Sequence, residues 1–224
     1  MSPNQHSRIS GLYAITPDEP DTAELLRKVR LVLQGGARVL QYRNKAAEPR
    51  LRLEQAQALK GLTREFSVPL IINDDVALAQ RLDAEGVHLG AEDESAIRAR
   101  RMLGNGKFIG ISCYNRIELA RAAVRQGANY VAFGSFFTSM VKPEAVAATT
   151  DLLREARLEI TVPLVAIGGI TAQNGMRLLE AGASALAVIS AVFGTDDIRA
   201  AAREFAELNL INNFEFGKKH HDFT

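Results

Sequence analysis

The stretch QGGARVLQYRNK at residues 34–45 contains the end of a helix, a whole strand and the start of a polar loop. Its two glycines end a segment of helical period, because glycine adopts the left-handed backbone that closes a helix at no steric cost. The apolar run RVLQY at 38–42 is typical of a buried strand. The polar residues 43–45 then leave the strand. The stretch therefore predicts one helix-to-strand junction of an α/β protein.

The same junction recurs along the chain, as RQGANYV at 125–131 and EAGASAL at 180–186. Short apolar runs alternate with longer segments whose apolar residues recur at three- and four-residue steps, which is the pattern of repeated βα units. This alternation predicts eight strands, at residues 11–15, 38–42, 69–72, 86–89, 107–111, 130–133, 163–167 and 185–189.

Eight βα units within about 200 residues favour a closed barrel. An open, doubly wound sheet shares the alternation, but the sequence has no glycine fingerprint after its first strand. We therefore predict a single (β/α)8 TIM barrel over residues 11–208, after a polar N-terminal lead at 1–10. Residues 209–224 break the preceding helical pattern and are interpreted as an appended tail, in which His220 and His221 are incidental.

Composition argues against several classes of protein. The chain has 47% hydrophobic residues, 24% charged residues and a net charge of +1. This composition provides no strong positive electrostatic potential that would attract nucleic acid. No apolar run is long enough to span a membrane, and the lead lacks the apolar core of a signal peptide. Cys113 is the only cysteine, which rules out an intrachain disulfide and is typical of the reducing cytoplasm. Small-molecule substrates are the expected partners, and the sequence is compatible with a homo-oligomer.

Polar residues follow the second predicted strand. In a closed barrel, function gathers on the loops after the strands, because side chains fill the interior. The alternation of side chains predicts that Gln41, Arg43 and Lys45 face the mouth while Tyr42 and Asn44 face the other way. An amide and two cations would then line the mouth. Each cation taken alone could equally extend into solvent from a strand end.

Carboxylates follow the next two strands, as Asn73-Asp74-Asp75 and, after His88, as Asp93. Mg²⁺ in phosphate sites takes one or two carboxylates together with phosphate oxygens, so Asp74 and Asp93 are its predicted ligands. Either acid taken singly could instead cap the helix that follows it. His88 lies within its strand and is predicted to be packed or hydrogen-bonded rather than catalytic.

The last two strands are followed by Gly168-Gly169-Ile170 and by Ser190. These two loops form the recurrent phosphate site of such barrels, because glycines let backbone N–H groups approach a phosphate and a helix N-terminus adds its dipole. A tight turn alone is the competing interpretation of the glycine pair. The longest loop, at 134–150, carries Lys142 and is predicted to be a mobile lid.

With these motifs together, the chain resembles the thiamine phosphate synthase family from Gly11 to Leu208. The matching motifs are Q-x-R-x-K at 41–45, N-D-D at 73–75, H-L-G-x-x-D at 88–93, Ser112 at the end of the fifth strand, Lys142, G-G-I at 168–170 and I-S at 189–190. The resemblance implies an Mg²⁺-dependent transferase. Such an enzyme joins an aminopyrimidine methyl diphosphate to thiazole phosphate, giving thiamine phosphate and diphosphate.

The resemblance also implies a role for each matching residue. The residues implied for the pyrimidine diphosphate are Gln41, Arg43, Lys45 and Asn73, with Mg²⁺ on Asp74 and Asp93. The phosphate of the thiazole would lie on Gly169, Ile189 and Ser190. The substrate-binding set is completed by Ser112, Ser139 and Lys142, and the implied catalytic residues are Lys45, Ser112 and Lys142. The diphosphate would leave first, and the thiazole nitrogen would capture the resulting carbocation.

Three other functions fit part of the sequence. A thiazole tautomerase would share the phosphate site, but it has no diphosphate to ionise and so no need of Asn73, Asp74 and Asp93. A sugar-phosphate isomerase or epimerase would share the phosphate site alone, and it would need a base with a pKa near neutral. The third is a non-catalytic module that binds a phosphorylated metabolite. Its one hint is Val141, which stands where the family has a hydroxyl residue.

Overall fold

Eight parallel strands close into a barrel in chain order, and the last strand pairs with the first. The computed structural model describes residues 9–90, 93, 95–137 and 148–219, with side chains in the last helix as far as 212. The strands are β1 Gly11–Ile15, β2 Val39–Tyr42, β3 Leu70–Asn73, β4 Gly86–Leu89, β5 Phe108–Tyr114, β6 Tyr130–Phe133, β7 Leu164–Ile167 and β8 Ala185–Val188. The helices of the described residues are α1 Thr22–Gln34, α2 Pro49–Glu65, α3 Val76–Arg81, α4 Ala96–Leu103, α5 Ile117–Arg125, α6 Thr150–Glu159, α7 Ala172–Glu180, α8 Ser190–Phe193 and α9 Ile198–Lys219. The predicted (β/α)8 barrel is confirmed.

Strand alternation divides the apolar side chains into two layers of core. One layer lies inside the barrel and includes Tyr13, Val39 and Ile71. The other lies between the strands and the helices, where the apolar stripe of α1 is buried. Two residues beyond Val39 and Ile71, the same alternation places Gln41 and Asn73 on the inner face. Polar side chains of the inner face therefore gather toward the carboxyl ends of these two strands.

Left-handed glycines end the helices at the three repeated junctions. The φ angles are +103° at Gly36, +92° at Gly127 and +111° at Gly182. A residue with a β-carbon is strained in this region, so the glycines set the point at which each helix turns toward the next strand. The prediction made from the repeated sequence is confirmed.

Two elements depart from the expectation. Strand β5 continues to Tyr114, beyond its predicted end at 111, and its register with β6 shifts between Ser112 and Tyr114. Helix α9 continues to Lys219, so the predicted break of the helical pattern at 209 is wrong. Residues 209–216 contain neither glycine nor proline. No residue in this stretch therefore interrupts the helical backbone.

Candidate active site

The barrel mouth carries the side chains that strand alternation predicts. Gln41 is buried, and its Nε2 donates to the Tyr13 hydroxyl inside the barrel at 2.8 Å. Tyr42 points the opposite way, and its hydroxyl donates to Gln55 of α2 at 2.8 Å. Asn44 also donates to Gln55, at 3.0 Å. The predicted division of this strand end between the mouth and the helix layer is confirmed at these positions.

Both predicted cations contact a carboxylate at the mouth. The Lys45 Nζ lies 3.6 Å from Asp74 Oδ2, and the Arg43 guanidinium lies 3.3 Å from Asp18 Oδ1. The Lys45 side chain is 60% exposed, so this ion pair is weak and the ammonium is accessible to a ligand. A cavity of about 50 Å³ between the β2 and β3 loops is lined by both cations, Asn73 and Asp74. Residues predicted from two separate loops thus meet in one place.

The loop after β1 holds the loop after β2, a role that the sequence did not indicate. Thr16 is fully buried, and its hydroxyl accepts from the Arg43 N–H at 2.9 Å and donates to the Arg43 carbonyl at 2.8 Å. The Asp18 carboxylate accepts from the Lys45 N–H at 2.8 Å. The signal that could have revealed this role is the polar run TPDE at 16–19, directly after a strand.

Asp74 and Asp93 lie close enough to influence each other. Burial first, and then the neighbouring Asp93 carboxylate, raise the pKa of Asp74, while Lys45 lowers it. Asp93 Oδ2 also accepts from the Gly90 N–H at 2.6 Å, which ties Asp93 to the end of β4. Two carboxylates brought together at partial burial repel each other, and a divalent cation would relieve that repulsion.

Helix capping, the competing interpretation of these acids, falls to other residues. Asp75 caps α3, since its Oδ1 accepts a backbone N–H of that helix at 2.8 Å. Ser95 caps α4. Asp74 has a left-handed backbone, with φ +62°, and its N–H donates to the His88 carbonyl at 2.8 Å. The Asp74 carboxylate lies beside the Lys45 ammonium at the mouth and does not cap a helix.

The carboxylate pair suits a metal that brings other ligands with it. Within the described residues, no group of three or more His, Cys, Asp or Glu side chains could hold a metal ion. Mg²⁺ needs only one or two carboxylates when phosphate oxygens and water complete its octahedron. The donor set of Asp74 and Asp93, beside the Lys45 ammonium, fits Mg²⁺ that arrives with a phosphate. The two carboxylates do not by themselves supply enough ligands to complete the coordination of a metal ion.

Glycines shape the loop after β7. Gly168 and Gly169 have φ angles of +104° and +63°, and Asn174 donates to the Gly169 carbonyl at 3.1 Å. A capping box between Thr171 and Asn174 fixes the start of α7 directly after them. Two consecutive positions without side chains allow a phosphate to approach the backbone.

The loop after β8 lies beside the loop that carries Gly168 and Gly169, because β7 and β8 are paired. Helix α8 begins at Ser190, and Ile189 is its N-cap. A short helix after the eighth strand is a place where such barrels bind phosphate with N-terminal N–H groups. Gly169, Ile189 and Ser190 are therefore brought together at the carboxyl ends of neighbouring strands, where a phosphate site was predicted. We call these three residues the phosphate cradle.

The loop after β6 is fixed at both of its described ends. The Phe137 N–H donates to the Gly168 carbonyl at 3.0 Å, and the Ala148 N–H donates to the Ser135 carbonyl at 2.7 Å. Residues 138–147 lie outside the described part of the chain. The predicted lid falls there and stays a prediction, as do the roles given to Ser139, Val141 and Lys142.

His88 is packed and hydrogen-bonded, as predicted. Its Nδ1 lies 3.1 Å from the Tyr130 hydroxyl, and its Nε2 lies 2.9 Å from Ser112 Oγ. Burial lowers the pKa of His88 to about 4, so the ring is neutral at neutral pH. Burial also raises the pKa of the Cys113 thiol to about 12. Neither group is the base near neutral pKa that a sugar-phosphate isomerase would need.

The chain is similar in sequence to proteins of one family. A family model described as thiamine monophosphate synthase matches residues 12–192, a span that includes the ends of all eight strands. A thiamine-phosphate synthase of Nitrosospira multiformis is 52% identical over 200 residues, which cover 89% of this chain and 86% of that protein. A thiamine-phosphate synthase of Methylobacillus flagellatus is 53% identical over 200 residues, covering 89% of this chain and 95% of the relative.

Solved structures share the fold. A thiamine phosphate pyrophosphorylase from Pyrococcus furiosus has a TM-score of 0.83 at 34% identity, with 93% of this chain and 98% of that chain covered. A 3-hexulose-6-phosphate synthase has a TM-score of 0.66 at 15% identity, with 88% and 99% covered. The second likeness shows the barrel fold alone.

Proposed function

The chain belongs to the thiamine monophosphate synthase family and is a transferase that forms thiamine phosphate, and we propose how its barrel mouth divides between two substrates. An aminopyrimidine methyl diphosphate binds at the loops after β2, β3 and β4, and thiazole phosphate binds at the loops after β7 and β8. The observation that carries the proposal is the cluster of Lys45, Asp74 and Asp93. This cluster lies at the same end of the barrel as the phosphate cradle.

The diphosphate side of the mouth favours departure of a leaving group. Arg43 and Lys45 bring two positive charges to the place where negative charge grows, as the carbon–oxygen bond breaks and the diphosphate departs with the electron pair. Thr16 and Asp18 hold the backbone of these two residues before substrate arrives. The strand end that carries the two cations is therefore already in place when the charge develops.

Two amides complete the pyrimidine side. Asn73 lines the same cavity as the cations, and Gln41 is buried on the inner face of the barrel. An amide both donates and accepts hydrogen bonds, which is what recognition of an aminopyrimidine requires. Gln41 and Asn73 therefore orient the ring while the cations hold its diphosphate.

Asp74 and Asp93 would hold Mg²⁺ together with the diphosphate. Mg²⁺ held by these two carboxylates would neutralise part of the charge on the phosphate oxygens and so would improve the leaving group. Burial and the nearby Asp93 raise the pKa of Asp74. This supports the assignment, because a bound cation offsets both effects.

The cradle of Gly169, Ile189 and Ser190 holds the phosphate of the thiazole. The lone pair of the thiazole nitrogen then forms the new carbon–nitrogen bond with the carbocation that the departing diphosphate leaves. This step needs no general base, because the nitrogen carries no proton to remove. Further substrate contacts are proposed for Ser112 and for Ser139 and Lys142, which follow β6 in the sequence.

Product formation tests the requirement for the metal. The protein, freed of metal by a chelator, is incubated with both substrates in the presence and absence of Mg²⁺, and thiamine phosphate is measured by chromatography. We expect thiamine phosphate and an equal amount of diphosphate only when Mg²⁺ is present. Equal rates in both conditions would remove the metal from the proposal.

Asp18→Ala is expected to weaken binding of the pyrimidine diphosphate alone. The variant loses the hydrogen bond to the Lys45 N–H and the partner of Arg43. A bond to a charged group contributes about 1.5–3 kcal/mol, of which part is screened because Asp18 is 40% exposed. We expect about a tenfold rise in the KM for the diphosphate and a change within about twofold for thiazole phosphate.

The control for Asp18→Ala is Glu159→Ala, which removes a surface carboxylate that pairs with Arg121. We expect both Michaelis constants of the control to match the wild type. An equal rise in the two constants of Asp18→Ala would mean that the variant damages the mouth as a whole.

We propose a cytoplasmic location for the protein. The single cysteine is consistent with a reducing cytoplasm. Of the helices that the structure describes, none is long and apolar enough to cross a membrane. Small phosphorylated molecules, and not nucleic acid, are the proposed partners.

A further inference from the structure

A chain of hydrogen bonds crosses the interior of the barrel. It runs from Gln41 Nε2 to the Tyr13 hydroxyl at 2.8 Å, and from there to the Tyr130 hydroxyl at 2.8 Å. The Tyr130 hydroxyl lies 3.1 Å from His88 Nδ1, and His88 Nε2 lies 2.9 Å from Ser112 Oγ. The five residues come from five different strands. Gln41 and Ser112 at its two ends are proposed to bind substrate, whereas the three residues between them have no part in the reaction described above.

Packing leaves these rings little freedom to change partners. Tyr13 and Tyr130 are 1% and 0% exposed. The Tyr130 ring stacks on the His88 imidazole, with centroids 5.6 Å apart and 24° between the planes. Gly110 on β5 makes room for Tyr130, because a β-carbon there would collide with its ring. A core packed in this way holds one arrangement of side chains.

The five residues can be ordered so that each one donates a hydrogen bond to the next, from Gln41 to Ser112. The Gln41 Nε2 can only donate, so the Tyr13 oxygen accepts and the Tyr13 proton goes to Tyr130. The Tyr130 proton then goes to His88 Nδ1, which leaves the imidazole proton on Nε2. Nε2 donates to Ser112 Oγ, so the hydroxyl hydrogen of Ser112 is left to point elsewhere.

The ionisation states agree with this direction. Burial raises the pKa of both tyrosines, so each keeps its hydroxyl proton. The buried imidazole of His88 has a hydroxyl oxygen beside each ring nitrogen, so a ring with one proton can accept at one nitrogen and donate at the other. The opposite direction requires the Gln41 amide to turn its oxygen to Tyr13, and it places the imidazole proton on Nδ1. The position of that one proton therefore distinguishes the two directions.

We propose that Tyr130 and His88 are positioning residues that make Ser112 a hydrogen-bond donor to substrate at the barrel mouth. Tyr130 fixes the Nε2–H form of His88, and the Nε2–H group occupies an acceptor site of the Ser112 oxygen. The hydroxyl is then oriented before substrate binds and need not reorganise during the reaction. This inference rests on the proposed substrate contact of Ser112, but its first test does not.

The first test locates the imidazole proton. Protein labelled with ¹⁵N-histidine is examined by NMR, and the His88 signals are identified among the four histidines by their loss in His88→Gln. We expect the neutral Nε2–H form in the wild type and in Tyr13→Phe, in which Tyr130 still donates to His88. We expect Tyr130→Phe to lose this preference. A wild-type Nδ1–H form, or a Tyr130→Phe spectrum like that of the wild type, would overturn the inference.

The second test links the proton to the reaction. Tyr130→Phe keeps the ring and is expected to lower kcat about tenfold, in line with the loss of one oriented donor. Because Tyr130 acts through Ser112, the double variant Ser112→Ala/Tyr130→Phe should be no slower than Ser112→Ala. Independent losses that multiply in the double variant would overturn the positioning role. Normal turnover of Ser112→Ala, with the predicted NMR result, would instead remove Ser112 from the proposed function.

Discussion

Asp74→Asn is expected to lower the turnover number at least about a hundredfold while the protein stays folded, which corresponds to roughly 2.7 kcal/mol of transition-state stabilisation. The amide keeps the size of the side chain but lacks the charge that would hold Mg²⁺ beside the diphosphate. Asparagine also accepts the left-handed backbone that Asp74 adopts, with φ +62°. Alanine would be strained at this position, so an alanine variant would mix strain with the loss of the ligand.

Asp75→Asn is the matched control for this prediction. Asp75 is the next residue in the chain and caps α3, and asparagine caps a helix equally well. We expect its turnover to stay within about twofold of the wild type. Both variants are assayed over a range of Mg²⁺ concentrations. Near-normal turnover of Asp74→Asn at limiting Mg²⁺ would show that Asp74 is not a ligand.

Gly168→Ala is expected to damage both the phosphate cradle and the stability of the barrel. The φ angle of +104° is strained for any residue with a β-carbon, which costs about 1–3 kcal/mol. The added carbon would lie 2.7 Å from Ser135 Cβ and 2.8 Å from Ser135 Cα, so the loop after β6 would have to move. Such overpacking costs about 1–3 kcal/mol more. We expect the free energy of unfolding to fall by about 3 kcal/mol and the KM for thiazole phosphate to rise more than about tenfold.

Urea unfolding and steady-state kinetics check the Gly168 prediction, with Gly61→Ala as the control. Gly61 lies in α2, and a β-carbon there would meet nothing within 4 Å. Because glycine weakens a helix interior, we expect Gly61→Ala to be more stable than the wild type by about 0.5–1 kcal/mol. If Gly168→Ala instead kept wild-type stability and affinity, the close approach of Ser135 would not constrain the cradle.

The barrel could be predicted from the sequence because its signals are local. Gly36, Gly127 and Gly182 stand at repeated junctions, and a few flanking residues are enough to identify each helix end. The end of α9 could not be predicted in the same way. The apolar pattern weakens at 209, but a helix ends where its backbone is interrupted, and 209–216 contain no interrupting residue.

The mouth was only partly predictable, because its supporting contacts join residues that are distant in sequence. Asp18 holds Lys45 from 27 positions away, and Tyr13 meets Tyr130 across 117 positions. A polar residue after a strand indicates the mouth, but it does not indicate which neighbouring loop it supports. The motif at 73–75 is ambiguous in the same sense, since its letters do not show which acid caps the helix. The left-handed backbone of Asp74 separates the two roles.

A crystal structure of the protein with Mg²⁺, inorganic diphosphate and thiamine phosphate tests the division of the mouth most directly, because both products and the ion are then present together. We predict one Mg²⁺ in contact with Asp74 and Asp93, and the diphosphate beside Arg43 and Lys45. The phosphate of thiamine phosphate should lie against the loops that carry Gly169 and Ser190. Diphosphate in that cradle, or a metal ion bound away from both carboxylates, would contradict the division.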